Sequence, residues 1–443
     1  MEPLLRNMKD TMKSENVYTK QQRIAALAQK HPDVSFTSLA YHIDVEWLAE
    51  AYRRTRKDGA AGVDGMTAQE YEKELNSNLQ KLLDRFKSGT YVAPPVKRTY
   101  IPKGNGKQEL RPIGIPTLED KVLQRAIVMV LEPLYEVDFR ASSYGFRPKR
   151  SAHQALEDEW QSVMNMRGCW VLEMDIEKFY DRMKHEHLRE FVKQRVCDGV
   201  IIRTIGKWLN AGVLEKGEVH YPEDGSPQGG VISPVLSNIY LHEVLDKWFE
   251  DEIVPRLKSS AKLIRFADDA LLLFKNREDA ERVMKVIGKR FARFGLTLHK
   301  EKTQLVDFTR PRSKERGAAT FDFLGFTHYW GKSRKGNHVL MRRTSRKKLK
   351  GAIGRVYDWC RKNRHNPIKE QWCDLKRKVI GHYGYYGITF NMEGIRKFEY
   401  QVRRSWQKWL NRRARENVMP WEKFNALLKR YPIPRPRIVH SYI

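Results

Sequence analysis

The segment Lys262-Leu-Ile-Arg-Phe-Ala-Asp-Asp-Ala-Leu-Leu-Leu-Phe274 sets two adjacent carboxylates, Asp268 and Asp269, between two apolar runs. Short apolar runs with a polar break between them read as a strand hairpin. Asp is a good turn residue, so a plain turn is the bland reading. Yet strands this apolar rarely hold two neighbouring anions at their junction without a cation, because the charges repel and lose hydration.

A second segment shifts the balance. Trp170-Val-Leu-Glu-Met-Asp-Ile-Glu-Lys-Phe-Tyr180 is an apolar strand that ends in Asp175. If Asp175 lies beside the hairpin, three carboxylates converge at one end of a sheet. Hard oxygen ligands of that kind suit Mg²⁺. Two such ions, about 3.5–4 Å apart, stabilise the attacking and leaving oxygens of an in-line displacement, as nucleotidyl transfer requires.

Two further segments are weak alone and stronger beside the carboxylates. In Gly225-Ser-Pro-Gln-Gly-Gly-Val-Ile-Ser-Pro234 the glycines allow close backbone approach, and Gln228 offers a donor and an acceptor. In Tyr100-Ile-Pro-Lys-Gly-Asn-Gly-Lys-Gln-Glu-Leu-Arg-Pro-Ile-Gly-Ile-Pro116, Lys103 and Arg111 flank a tight turn, placed to grip a triphosphate. An ordinary turn and a solvated hairpin are the competing readings of these two.

Charge supports a polyanionic partner. Lys and Arg number 83 against 54 Asp and Glu, a net charge of +29 over 443 residues. The excess is uneven. Residues 331–443 hold 30 cations and 7 anions, whereas the first 330 hold 53 and 47. That shift predicts a domain boundary near residue 330. Several classes are excluded. No apolar run approaches the roughly 18 residues of a membrane span. The first residues lack the apolar core of a secretion signal. Cys169, Cys197, Cys360 and Cys373 show no C-x-x-C pair and no zinc spacing, so the expected location is a reducing cytoplasm.

Along the chain, residues 1–45 read as a polar, weakly helical extension, and 46–88 as helical with a glycine break. Residues 96–116 read as two strands, followed by a helix from about Leu118 and a strand over 169–175. A helix start is signalled at Ser233-Pro234. Strands and helices mix without a regular β-α-β repeat, so the class is α+β. In the tail, apolar residues at 395, 398, 402, 406 and 409 predict one buried helix face, with Trp406 and Trp409 in the core. Arg396, Lys397, Arg403, Arg404 and Lys408 fall mainly between them, on a face free to meet phosphate.

The four segments, in this order, resemble the blocks of reverse transcriptases, and most of all those of bacterial group II intron-encoded reverse transcriptase/maturases. Gly62-Val-Asp-Gly65 resembles an additional N-terminal block of that family. Arg111-Pro-Ile-Gly-Ile-Pro116, Ser143-Tyr-Gly-Phe-Arg-Pro148, Met174-Asp-Ile-Glu-Lys-Phe-Tyr-Asp181, Pro227-Gln-Gly-Gly-Val-Ile-Ser-Pro234 and Phe323-Leu-Gly-Phe326 resemble others. Gly381-His-Tyr-Gly-Tyr-Tyr386 is similar to the glycine-aromatic block of its thumb/maturase domain. The resemblance implies a right-hand polymerase of fingers, palm and thumb: an extension over 1–45, fingers and palm over 46–330, a helical basic thumb/maturase domain over 331–410 and a basic segment over 411–443. In that segment Arg412, Arg413, Arg415, Lys429, Arg430, Arg435 and Arg437 would form a short DNA-binding remnant.

The resemblance also implies roles. Asp175, Asp268 and Asp269 would be catalytic and bind two Mg²⁺ ions. Phe179 and Tyr180 would line the incoming sugar, with Tyr180 excluding a ribose 2′-hydroxyl. Gln228 would touch nucleotide and template, Lys103 and Arg111 the phosphates, and Lys302 the same site; a solvated strand-end charge is the other reading of Lys302. Partners would be dNTPs, an RNA template with a DNA primer, group II intron RNA and target DNA, with no membrane, at the nucleoid when on DNA. Two departures stand out. Phe266 replaces the commoner Tyr before Ala-Asp-Asp. The chain ends at Ile443 without a Cys-pair and His-rich endonuclease domain, so no second-strand cleavage is expected. The alternatives are the same polymerase domesticated for host defence or repair, and a splicing-only maturase.

Overall fold

Alternation and apolar runs resolve into eleven strands in a computed structural model that describes residues 2–102, 110–221, 224–225, 229–311, 319–413 and 419–442. In chain order the strands are β1 (Val96–Pro102), β2 (Leu110–Ile115), β3 (Gly168–Met174), β4 (Val213–Glu215), β5 (Glu218–His220) and β6 (Ala261–Phe266). There follow β7 (Asp269–Phe274), β8 (Gln304–Thr309), β9 (Phe321–Phe323), β10 (Phe326–Lys332) and β11 (His338–Thr344). They form three sheets, with orders β2-β1-β4-β5, β6-β7-β3-β8 and β11-β10-β9. Helices fill most of the remainder, so the α+β expectation holds.

The chain divides into two compact units, one made of residues 1–101, 110–155 and 172–305, the other of 102–109, 156–171 and 306–443. The second therefore begins well before residue 330 and recruits an internal stretch. Composition could not reveal this, because the recruited residues are not unusually basic.

In the first unit, β6 and β7 pair antiparallel from Ala261↔Phe274 to Phe266↔Asp269, which leaves Ala267-Asp268 as the turn. Leu263, Ile264, Leu271, Leu272, Leu273 and Phe274 are buried, as the apolar runs demand. The helix Leu118–Tyr135 starts at Thr117, whose hydroxyl accepts from the Asp120 amide. It is apolar round most of its circumference and is buried along most of its length. Within residues 2–45 the chain is more helical than its polar sequence suggests. A helix spans Glu2–Lys30, Val17, Ile24 and Ala28 are buried, and Gln21 Nε2 donates to the Met129 carbonyl at 2.8 Å. Its apolar positions are too sparse to announce that docking. A second surprise follows Ser233–Leu241, where the helix widens into π turns at His242–Asp246 and Trp248–Ile253.

In the second unit, four helices (Arg346–Lys362, Ile368–Tyr386, Met392–Leu410 and Trp421–Arg430) follow the β9-β10-β11 sheet. Ile395, Phe398, Val402, Trp406 and Trp409 are all buried, as their spacing predicts. Leu375, Val379, Phe424 and Ile433 share their core. Phe424 and Ile433 thus tie the stretch 419–442 into this helical core, while Arg415 lies outside the described residues. Tyr383 donates its hydroxyl to the Pro434 carbonyl at 3.1 Å, and Trp372 Nε1 donates to that of Pro432 at 2.9 Å.

Candidate active site

The hairpin turn and the end of β3 define the site. Asp175 directly follows β3, and β7, which begins at Asp269, is the neighbouring strand. The segment 297–303 fixes Asp175 by its backbone. The His299 amide donates to the Asp175 carbonyl at 2.8 Å, and the Glu177 amide to that of Thr297 at 2.8 Å. Lys302 Nζ lies 2.9 Å from Asp175 Oδ2, an ion pair made by a lysine that is itself largely exposed.

Asp268 is half-buried and Asp269 exposed. Burial pushes the Asp268 carboxyl above the usual carboxylate range, and the Asp175 charge adds to the rise. The charges of Arg111 and Arg265 oppose it. Arg111, on β2, therefore acts on the charge of this site. The same charges act on Tyr180, whose hydroxyl burial pushes up, with a hydrogen bond to Ser237 and the Arg111 charge acting against the rise and the Asp268 charge adding to it. The Tyr180 ring meets Phe179 edge-on at 5.4 Å, and buried Phe179 in turn meets Tyr240 at 6.3 Å. Gly225 packs on the Tyr180 backbone. A Cβ there would lie 2.7 Å from the Tyr180 carbonyl oxygen, and φ is +90°, so only glycine fits.

The end of the glycine loop is held by a residue the sequence reading passed over. Gln124 Oε1 accepts from the amides of Val231 at 2.7 Å and Ile232 at 3.3 Å. Gln124 Nε2 donates to Asp120 Oδ2 at 3.3 Å. Asp120 also accepts from Trp208 Nε1 at 2.6 Å and from the Tyr91 hydroxyl. Burial pushes Asp120 up to about 6. A lone Asp and Gln four apart on an apolar helix were the only available signal.

Of the other expected site residues, Lys103 and Gln228 lie outside the described residues, as does the Gly104-Asn105-Gly106 turn. Arg396, Lys397, Arg404, Lys408 and Arg412 are exposed in the second unit, whereas Arg403 pairs with Glu399 and Arg413 donates to the His365 and Asn366 carbonyls at 3.2 Å. Among the described residues no three His, Cys, Asp or Glu side chains form a ready metal-ligating cluster. The donors nevertheless suit a hard divalent cation. Asp175 and Asp268 offer carboxylate oxygens, the Asp175 charge adds to the rise at Asp268, and a cation between them would relieve that repulsion.

Residues 101–328 match the family described as reverse transcriptase (RNA-dependent DNA polymerase). Protein YkfC of Escherichia coli is 37% identical over 287 residues, covering 58% of this chain and 75% of that protein. The group II intron-encoded protein LtrA of Lactococcus lactis is 36% identical over 230 residues, 51% of this chain and 37% of LtrA. The mitochondrial nuclear intron maturase 2 of Arabidopsis thaliana is 27% identical over 218 residues, 38% of this chain and 29% of that protein. The chain thus spans three quarters of one curated relative and little more than a third of another. The match over just over half of the chain contains Asp175, the glycine loop and the Asp268-Asp269 hairpin, and the chain belongs to the reverse transcriptase family.

Proposed function

We propose that this chain is an RNA-directed DNA polymerase that copies an RNA template from a DNA primer, and that it binds group II intron RNA to assist splicing and mobility. The observation that carries the polymerase reading is the meeting of Asp175, Asp268, Lys302, Arg111 and Tyr180 around one sheet end, inside the family match. Asp175, Asp268 and Asp269 would hold two Mg²⁺ ions. When bound, such ions lower the pKa of a primer 3′-hydroxyl and neutralise departing pyrophosphate.

The chain's own residues bind and orient. Arg111, with Lys103, takes the nucleotide phosphates by charge-assisted hydrogen bonds. Tyr180, steadied by Phe179 and Ser237, stands under the sugar and excludes a 2′-hydroxyl. Gln228 touches the nucleotide and template strand. Lys302 holds Asp175 in place by an ion pair. The basic surface of the second unit supplies phosphate contacts for duplex, intron RNA and target DNA, the intron reading being favoured by similarity to LtrA and the intron maturase. Such substrates place the work in the cytoplasm, at the nucleoid when the protein is on DNA. Among the described residues no helix is long and apolar enough to cross a membrane.

The test is extension of a DNA primer on an RNA template with Mg²⁺ and dNTPs. Wild type should extend it and Asp268→Asn should not. A folded, RNA-binding wild type that fails to extend would move the function to splicing alone.

A further inference from the structure

Behind the hairpin turn lies an ion pair that the polymerase reading does not use. Arg265, on β6, and Asp246 are both fully buried. Arg265 Nε donates to Asp246 Oδ1 at 2.7 Å and Nη2 donates to Oδ2 at 2.6 Å, a two-pronged pair. The remaining prong, Nη1, donates to Asn238 Oδ1 at 3.0 Å and to the carbonyl of Ala267 at 3.1 Å. Ala267 immediately precedes Asp268 and has φ +57°, in the left-handed region that a residue with a Cβ enters only at a steric cost. Something must hold it there.

The surroundings extend the same grip. Asn238 Nδ2 donates to the Gly145 carbonyl at 2.8 Å. The Arg265 amide donates to the Ser142 carbonyl, and the Tyr144 amide to that of Arg265, both at 2.8 Å. Gly145 lies so close to the turn that a Cβ would sit 2.2 Å from the Ala267 nitrogen. Asn238 and Asp246 are eight residues apart, about 80° round the axis of an unbroken α-helix. The π turn at His242–Asp246, which advances fewer degrees per residue, takes up that difference and lets both side chains reach one guanidinium. A buried pair of charges is weak evidence for stability, since desolvation offsets much of the attraction. Its value here is geometric.

We propose that Arg265, Asp246 and Asn238 are positioning residues, a buried brace that fixes the Ala267-Asp268 turn and so sets where Asp268 and Asp269 present their oxygens. The inference rests on the polymerase reading of the same site. A displacement of about 1 Å in such groups can cost about 10²-fold in rate.

Two variants of the full chain test it by different routes. Arg265→Lys keeps the charge but loses the planar fork. Gly145→Ala touches no ionic group and presses a Cβ onto the turn. Single-turnover dNTP incorporation should fall about 10- to 100-fold in each, with primer–template affinity within about twofold of wild type. Mn²⁺ affinity, measured by electron paramagnetic resonance on the complex with a chain-terminated primer and dNTP, should weaken about 10-fold or more, in the range of lost supporting shells. Should Arg265→Lys fail to fold, Gly145→Ala and Asn238→Ser carry the same measurements. An active wild type matched in rate and Mn²⁺ affinity by the folded variants would overturn the brace alone. A loss of rate tracked by loss of duplex binding, with Mn²⁺ affinity unchanged, would overturn it in favour of a general structural role. An inactive wild type would overturn the polymerase reading and the brace with it.

Discussion

At the scale of single residues, the site is a balance of charges that are only partly buried. Asp268 is raised by burial and by Asp175, while Lys302 answers Asp175 directly. Tyr180 is fixed by neighbours on three sides, Phe179, Ser237 and the Gly225 backbone. Replacing it with Val should leave dNTP incorporation largely intact and reduce discrimination against ribonucleotides by about 10- to 100-fold, the order expected when a pocket ceases to reject one hydroxyl. Competition assays with paired nucleotides would show it, and undiminished discrimination would remove Tyr180 from that role. Asp120 makes a separate prediction. Its ordinary value is 3.8, and burial lifts it to about 6 in the native state. The native carboxyl therefore keeps its proton over an interval in which the unfolded chain has released it. Stability should fall as pH rises from about 4 to about 6, by about 3 kcal/mol at most. Urea unfolding of wild type and Asp120→Asn across that range checks this. Equal pH dependence in the two proteins would contradict it.

At the scale of elements, what could be read from sequence was local pattern. The β6–β7 hairpin was legible as two unbroken apolar runs about a polar break, and the Met392–Leu410 helix as an apolar period near 3.6. Asp175, Asp268 and Asp269 stood out as candidates because carboxylates at the ends of apolar strands need a reason. The brace was not. Arg265 stood in view as the cation inside an apolar strand, but its partners Asp246 and Asn238 come from a helix whose π turn leaves no periodic mark. The docking of Glu2–Lys30 and the Gln124 clamp on the glycine loop depend on long-range packing and were equally silent. The helix face in the second unit carries a stability prediction. Trp406 is fully buried and its Nε1 donates to Gln371 Oε1 at 3.0 Å. Trp406→Ala should cost about 3–5 kcal/mol, read as a lowered urea midpoint by circular dichroism. A loss below about 1 kcal/mol would mean that this core repacks freely.

At the scale of the whole molecule, charge and chemistry divide between segments. The carboxylate site lies in the first unit, and the last 113 residues carry a net +23. Composition exposed that asymmetry and with it the polyanionic partner. The two compact units divide elsewhere along the chain, since residues 156–171 and 306–330 belong to the second without being conspicuously basic. Binding to duplex DNA should be strongly salt-dependent, falling by about 10³–10⁵ between 50 and 200 mM salt if about 6–10 phosphates are contacted. A nearly flat salt response would contradict the phosphate-clamp role of that surface. The central claim is that Asp175 and Asp268 together support RNA-templated nucleotidyl transfer. The most direct test is single-nucleotide incorporation on an RNA template by wild type, Asp175→Asn and Asp268→Asn, with primer–template affinity measured alongside. The account predicts that each variant binds as wild type does and loses about 10³-fold or more in rate. A folded variant that binds normally and incorporates within about tenfold of wild type would contradict it.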